Sequence, residues 1–177
     1  MGESAHIPSL QDGQAYHAFI VHNSVTEREV SLRLYEDLTA RGYRCCHADL
    51  DFQPGTKVIT NILTTIIKSR RVIAIVSPQF LESGWCKFEI TNALNFSYDH
   101  DQQILIPVLY NINLDAVQLP TEIKSMTYLE YNDPNFWKKL TDALNSEYRT
   151  EGFWANTGRL DWYSYSNDWD GAKWLEY

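Results

Sequence analysis

Residues Val72 to Val76 are apolar without interruption, and this run constrains the fold more than any other feature of the chain. A strand that alternates apolar and polar residues has one face toward water, whereas a continuous Val/Ile/Ala strand has to be covered on both faces. Both faces of a sheet are covered when helices connect parallel strands. The run therefore predicts a central strand of a parallel α/β sheet.

Four other strand patterns accompany this run, and helical patterns separate them. The first helical pattern follows Ser24 to Glu27, which has the form of a capping box, and Gly42 ends it. A second, strongly periodic helix is predicted from Val58 to Ile67. The strands are predicted at Tyr16 to Val21, Tyr43 to His47, Val72 to Val76, Ile104 to Tyr110 and Thr127 to Tyr131. We predict an α/β fold with a flavodoxin-like five-stranded parallel sheet, strand order 2-1-3-4-5, and helices on both faces.

The remaining helices and one proline refine this architecture. Residues 80–96 are predicted to be mostly helical, and Pro107 indicates that the fourth strand lies near an edge or at a bulge. Asp133-Pro134 opens a last helix. Its inward residues are predicted to be Phe136, Trp137, Leu140 and Leu144.

The 177 residues suit one domain with an appendage. We predict a disordered lead-in over residues 1–14, a domain over 15–149, and an acidic tail rich in Trp and Tyr over 150–177. That tail holds four of the six tryptophans, which indicates a segment that packs either on its own domain or on a partner.

The charge and hydropathy of the chain exclude several classes of partner. A net charge of −8 argues against nucleic acid and anionic membrane surfaces, which reward clustered Lys and Arg. No apolar run is long enough to cross a membrane, and the first residues lack a basic-then-apolar signal pattern. The sequence therefore predicts a soluble, cytoplasmic protein without direct membrane insertion.

The cysteines and histidines show no spacing typical of a metal site, and no metal is predicted. Cys45 and Cys46 are adjacent in a strand pattern, so their side chains should point to opposite faces as small buried hydrophobes. His22, His47 and His100 are each expected to be surface or core-edge histidines.

The segment Asp51-Phe52-Gln53-Pro54-Gly55 lies between the second strand and the second helix. Proline fixes its own φ and glycine accepts a positive φ, so the segment predicts a turn. Leu50 and Phe52 are bulky and apolar where a plain loop would be polar. The alternatives are a recognition loop and a tight connection with no other role.

Known catalytic motifs of α/β sheets are missing. The chain has no Gly-x-Gly-x-x-Gly, no P-loop, no Gly-x-Ser-x-Gly and no acidic set for magnesium at the carboxyl ends of its strands. In this fold, ligands bind where the strand order reverses, beside His22 to Ser24 and Ser77-Pro78. Glu89 is the remaining candidate, either as a carboxylate that stabilises positive charge on a ribose or as an exposed helix glutamate paired with a lysine.

Four motifs in order give the segment from about Tyr16 to Tyr148 a resemblance to the Toll/interleukin-1 receptor (TIR) domain family, in its animal Toll-receptor and adaptor branch. Residues 16–22 resemble the first box, with His17 in place of the usual Asp, and residues 51–55 resemble the second, with Leu50 where Arg is common. Phe136-Trp137 resembles the third box. Trp85-Cys86 with Glu89 resembles the motif of the third helix.

The resemblance implies two functions. In animal receptors and adaptors of the family, TIR domains signal by assembling with other TIR domains through the loop after strand two (the BB loop), here Asp49 to Lys57. In the enzymatic branch they cleave NAD at the nicotinamide–ribose bond, and the catalytic glutamate falls at Glu89. The contact residues implied for assembly are Leu50, Asp51, Phe52, Gln53, Pro54, Gly55 and Trp85, with Phe52 and Pro54 at the tip.

The Pro-Gly loop favours assembly over catalysis, because enzymatic members of the family often lack that proline. We therefore expect a signalling module of the innate-immune type that binds other TIR domains and itself, with no cofactor. NAD is the substrate in the enzymatic alternative. A third alternative is a regulatory decoy whose tail blocks assembly.

Overall fold

The computed structural model describes residues 6–23, 25–83 and 104–146. Its strands are β1 (Tyr16–Val21), β2 (Cys45–His47), β3 (Ser69–Val76), β4 (Leu105–Leu109) and β5 (Leu129–Glu130). Its helices are α1 (Arg28–Ala40), α2 (Ala48–Asp51), α3 (Val58–Ile67), α4 (Pro78–Glu82), α5 (Thr121–Lys124) and α6 (Phe136–Asn145). Glu89, Trp85, His100 and the whole of the tail lie outside the described residues.

The five strands form one parallel sheet in the order β2-β1-β3-β4-β5, which confirms the predicted fold class and strand order. The strand order reverses between β1 and β3, where Phe19 pairs with Val72. Chain segments that follow these two strands therefore border the crevice in which ligands of such sheets bind.

Two hydrophobic clusters cover the two faces of the sheet. Val72 and Ala74 of β3 belong to one cluster, whereas Ile73 and Ile75 belong to the other. The alternation follows from the period of two along a strand, and it explains why the run has no polar residue. Cys45 and Cys46 likewise point to opposite clusters, as predicted.

Helix α1 begins later than the sequence predicted. Glu27 is its N-cap residue and makes no side-chain capping bond, and Ser24, the first residue of the predicted capping box, lies outside the described residues. Instead, Oδ1 of Asn23 accepts hydrogen bonds from the backbone N–H groups of Val25 (3.0 Å) and Thr26 (3.3 Å). An Asx turn therefore leads the chain from β1 into the helix. The helix ends at Ala40, and Gly42, which was predicted to end it, follows in a left-handed conformation with φ +97°.

The edge strands are shorter than predicted, and this explains Pro107. Tyr110 N–H donates to Val76 of β3, whereas Tyr131 N–H donates to Leu109, so odd-numbered residues of β4 face β5. The backbone nitrogen of Pro107, which carries no hydrogen, is therefore on the side of β5, and the pairing with β5 starts only at Val108. The proline lies beside the short edge strand, where no donor is required.

Two buried arginines at the start of β3 anchor helix α6. Arg70 donates to the carbonyl oxygens of Leu144 (3.3 Å) and Ser146 (2.9 Å), and Arg71 donates to those of Ala143 (3.4 Å) and Ser146 (2.5 Å). The last carbonyls of a helix lack intrahelical partners and carry partial negative charge. The guanidinium groups therefore satisfy the end of α6 and hold it against the sheet.

Part of the predicted disordered lead-in lies against the domain. Nε2 of His17 is 3.0 Å from the carbonyl oxygen of Pro8, and Ile7 packs against one of the two hydrophobic clusters. Ile7 and Pro8 of the predicted lead-in therefore contact the domain. The boundaries predicted at residues 14 and 149 stay predictions.

Candidate functional site

The connection from β2 to α3 begins with one turn of helix, α2, where the sequence predicted only a loop. His47 is its N-cap residue, and its side chain accepts a hydrogen bond from Asp49 N–H at 3.3 Å. The carboxylate of Asp51 reaches back and accepts from His47 N–H at 2.7 Å. These two bonds satisfy backbone donors that a helix start leaves without partners. Asp51 therefore shapes the loop from within.

Residues 53–56 form the predicted turn. Thr56 N–H donates to the carbonyl oxygen of Gln53 at 3.4 Å, and Gly55 has φ +85°. Proline at the second position and a positive φ at the third define a type II turn. Gln53, Pro54 and Gly55 are all exposed, so this turn is the tip of the loop.

Phe52 is half-buried and not at the tip, where the sequence placed it. Its ring lies 5.9 Å from that of Phe19, centroid to centroid, and it packs against one of the two hydrophobic clusters. An aromatic side chain gains more from the apolar core than from water, so it turns inward once the backbone allows it. Phe52 thus fixes the loop to the sheet.

The apolar residues that the loop leaves in solvent lie on either side of Phe52. Leu50 in α2 is 53% exposed, and Val58, which starts α3, is 55% exposed. With Pro54 they make three apolar side chains within nine residues of chain. We call Leu50, Pro54 and Val58 the loop surface.

A polar cluster lies beneath the loop, at the ends of β1 and β2. The rings of His22 and His47 are 4.5 Å apart, and Nε2 of His22 is 3.7 Å from Oδ2 of Asp49. Nε of Arg28 donates to the same carboxylate oxygen at 3.0 Å. We call His22, His47, Asp49 and Arg28 the root cluster.

A surface or core-edge histidine was expected at each position, whereas His22 and His47 are both buried and their rings lie next to each other. Burial lowers the pKa of His47 to about 4, and the charge of neighbouring His22 adds to that shift. Burial also lowers the pKa of His22, with the Asp49 carboxylate opposing it. Both imidazoles are therefore neutral at pH 7. Their positions in the sequence were the available signal, because His22 directly follows β1 and His47 is the last residue of β2, the strand paired with β1.

Cys45 and Cys46 are not reactive groups. Both are buried, and burial raises the pKa of each thiol to about 12. A thiol reacts as its thiolate, which neither cysteine forms near neutral pH. The two residues fill the core, as the sequence indicated.

At the other side of the crevice, Ser77 begins α4. Its hydroxyl accepts a hydrogen bond from Phe80 N–H at 2.9 Å, and Pro78 follows at the first helical position. Both features belong to a helix start and indicate no ligand. The other predicted site residues, Trp85 and Glu89, lie outside the described part of the chain, so their roles stay predictions.

The family that this fold and loop define is confirmed by comparison. The model of the TIR domain matches residues 15–156, so the chain belongs to the TIR domain family. It is 29% identical over 150 residues to the stimulator of interferon genes protein of Magallana gigas, which covers 85% of this chain and 35% of that protein. It is also 29% identical over 150 residues to human Toll-like receptor 1, covering 78% of this chain and 19% of the receptor.

Solved structures agree with the sequence relatives. A metazoan TIR-STING receptor from C. gigas, in complex with 2′,3′-cGAMP, matches with TM-score 0.68 and 28% identity, over 80% of this chain and 43% of that one. The TIR domain of a Toll-related receptor from Hydra magnipapillata matches with TM-score 0.65 and 26% identity, over 75% of this chain and 100% of that one. The animal Toll-receptor branch predicted from the motifs is therefore confirmed.

The chain matches only part of the length of these relatives. The chain spans 35% of the M. gigas protein and 19% of human Toll-like receptor 1, so it corresponds to one part of each. Among the helices in the described ranges, none has the length and hydropathy needed to cross a bilayer.

Proposed function

We propose that this chain is an intracellular signalling module of the innate-immune type that binds other TIR domains, including its own copies, through the loop surface. The observation that carries the proposal is the exposure of Leu50, Pro54 and Val58 around a turn that Phe52 holds in place. Three water-exposed apolar side chains on one short connection gain free energy when a partner covers them.

The way the loop is held favours binding further. Phe52 packs on the core, and Asp51 and the Gln53–Thr56 turn restrict the backbone on either side of it. A loop restricted before binding loses less conformational entropy when a partner orders it. Few residues supply most of the binding energy in protein interfaces, and apolar anchors in the centre of the contact are typical of them.

The relatives support the same function. They include Toll-like receptors of human and mouse and a TIR-STING receptor, all proteins named as receptors or as a stimulator of a response. The BB loop is also the contact that the family resemblance implies. We infer that Trp85, in the third-helix motif, contributes a second contact face.

A proline pair tests the proposal. Pro54 and Pro134 are both exposed, and each is at the second position of a turn closed by a backbone hydrogen bond, Thr56 N–H to Gln53 and Phe136 N–H to Asp133. The two turns lie at opposite edges of the sheet, after β2 and after β5. Pro54→His and Pro134→His therefore make the same chemical change at the same position of a hydrogen-bonded turn.

We expect Pro54→His to abolish self-association in sedimentation velocity and signalling in a cell reporter, while Pro134→His keeps both. Each variant should lose less than about 1 kcal/mol of stability, because proline at such a position acts mainly on the unfolded chain. If Pro54→His associates as the unmodified chain does, the loop is not the contact.

The second candidate function is NAD glycohydrolase activity with Glu89 as the catalytic carboxylate. What supports it is the Trp85-Cys86-x-x-Glu89 motif. An assay of nicotinamide release by the purified chain tests it, with Glu89→Gln and Glu82→Gln as matched variants. Activity that Glu89→Gln removes and Glu82→Gln keeps would rank catalysis above assembly. Without nicotinamide release, the enzymatic alternative is wrong.

A further inference from the structure

His22 is a buried imidazole whose ring nitrogens make no hydrogen bond of standard geometry in the described part of the chain. Its side chain is 2% exposed, and neither Nδ1 nor Nε2 has a partner of standard hydrogen-bond geometry. Nε2 instead points toward Oδ2 of Asp49 from 3.7 Å, beyond hydrogen-bond distance. A buried polar group without a partner costs free energy, and each such group in a folded protein needs an explanation. A ligand between the two residues supplies one.

The hydrogen bonds of His47 leave one of its nitrogens able to bind that ligand. Ser31 Oγ is 2.8 Å from the Arg28 carbonyl oxygen and 2.8 Å from Nε2 of His47. Because a carbonyl oxygen can only accept, the Ser31 hydroxyl donates its proton to the Arg28 carbonyl and accepts a hydrogen bond from Nε2–H of His47. His47 is then protonated on Nε2, and Nδ1 holds a lone pair that only a long 3.3 Å bond from Asp49 N–H engages.

This arrangement is common behind metal-binding histidines. A histidine that ligates through one nitrogen usually donates from the other to a carbonyl, carboxylate or hydroxyl, which fixes the ring and its tautomer. The path from His47 through Ser31 to the Arg28 carbonyl has this form. His47 Nδ1 is therefore oriented before a ligand arrives.

The three side chains converge to a distance that suits one ion. One ligand atom from each of His22, His47 and Asp49 lies within 4.8 Å of the others. Two ligands of a tetrahedral Zn²⁺ ion are about 3.3 Å apart, given Zn–N and Zn–O distances of about 2.0–2.2 Å. These separations reach values wider than those of a loaded site, so binding of an ion would draw the three side chains closer together.

We propose that His22, His47 and Asp49 form a binding site for a divalent cation of the zinc type, with the fourth position open. Two nitrogens and one oxygen favour Zn²⁺ over Mg²⁺ or Ca²⁺, which prefer oxygen ligands throughout. The ion would join the ends of β1 and β2 to α2 beneath the BB loop. The site does not depend on the proposed assembly function.

Arg28 competes with the cation for Asp49. Its Nε donates to Oδ2, and its side chain is 58% exposed, so it can swing into water when an ion arrives. A cation next to a guanidinium is disfavoured by like charge. Removing the charge of Arg28 should therefore tighten binding, which no merely structural role of His22 and Asp49 predicts.

Isothermal titration of the chelator-treated chain with ZnCl₂ tests the site. We expect one Zn²⁺ per chain and a rise in melting temperature on binding. Loss of a hydrogen-bond partner behind a metal ligand costs about 10–100-fold in affinity, so His22→Gln and Asp49→Asn should each cost at least about 100-fold. Arg28→Gln should increase affinity several-fold. His6→Gln, at an exposed histidine, is the control and should bind as the unmodified chain does.

Circular dichroism identifies any variant that fails to fold. If His22→Gln fails to fold, Asp49→Asn still tests the site, because Asp49 is exposed and its substitution should leave the fold intact. The proposal is overturned by three results: no stoichiometric binding, undiminished binding by folded Asp49→Asn, or loss of binding in His6→Gln. An unchanged or weaker affinity in Arg28→Gln would also contradict the assigned role of Asp49.

Discussion

At the root of the loop between β2 and α3, the imidazoles of His22 and His47 are buried, whereas at its tip apolar side chains are exposed. Nε2 and the backbone N–H of His47 in the root cluster make hydrogen bonds of 2.8 Å and 2.7 Å, whereas Nδ1 accepts only a long bond of 3.3 Å. Leu50, only three residues further on, is 53% exposed. The same loop thus reverses the usual distribution of polar and apolar groups.

This reversal indicates that the root and the tip of the loop have different roles. Buried polar groups set geometry, because each needs a partner at a fixed distance. Exposed apolar groups contribute little to the fold and gain free energy only from a partner. Phe52 lies between the two regions and belongs with the root, since it packs on the core. Changes at the root should therefore alter stability, and changes at the tip should alter association.

The largest stability effect is expected for Phe52→Ala. Removing a fully buried phenylalanine costs about 3–5 kcal/mol, and the half-buried ring of Phe52 should cost about 2 kcal/mol. Urea denaturation measures this free energy of unfolding. Leu50→Ala, at the exposed residue two positions away, should stay within about 0.5 kcal/mol. Equal losses in the two variants would remove the distinction between root and tip.

The root cluster should also make stability depend on pH. The folded pKa of His47 is about 4 and its ordinary value is 6.5, so the unfolded state binds more protons between these values. Stability is then complete above pH 6.5 and falls as the pH drops toward 4, by about 2 kcal/mol between pH 7 and pH 5. His22 adds to this in the same direction.

Denaturation at the two pH values, with chelator present, measures this loss. His47→Gln removes the titrating group, so its stability should change less between pH 7 and pH 5 than that of the unmodified chain. The same pH dependence in both proteins would show that other groups cause it.

A smaller effect is expected for Gly55→Ala at the tip. Gly55 has φ +85°, and a Cβ atom added there meets nothing within 4 Å, so only backbone strain opposes the change. That strain costs about 1 kcal/mol. Gly13 has φ +88° and equally open space, so Gly13→Ala should lose the same amount. Thermal melts of both variants check this, and a much larger loss at Gly55 would mean that the turn contacts something beyond itself.

Structural features that depend on residues close together in sequence were predictable, whereas features that depend on residues distant in sequence were not. The strand order followed from the apolar run of β3 and the alternation of elements, which depend on patterns along the chain. The Gln53–Thr56 turn was also predictable, because proline and glycine determine it locally. Phe52 was misplaced, since its burial against Phe19 depends on residues more than thirty positions away.

The root cluster was missed for the same reason. His22 and His47 are separated by a helix in sequence, and only the parallel pairing of β1 with β2 brings their rings within 4.5 Å. Residue spacing carries no sign of this, but the positions of both histidines at the carboxyl ends of adjacent strands do. Helix α2 was also not predicted from the sequence. The hydrogen bonds at its start come from the side chains of His47 and Asp51 and not from a usual N-cap residue.

Self-association of two matched leucine variants tests the central claim most directly. Leu50 is 53% exposed on the loop surface, and Leu114, which follows β4 toward the far edge of the sheet, is 43% exposed. Sedimentation velocity over a range of concentrations compares Leu50→Ser with Leu114→Ser. We predict that Leu50→Ser remains monomeric at concentrations where Leu114→Ser and the unmodified chain associate. Equal association of the two variants would contradict assembly through the BB loop.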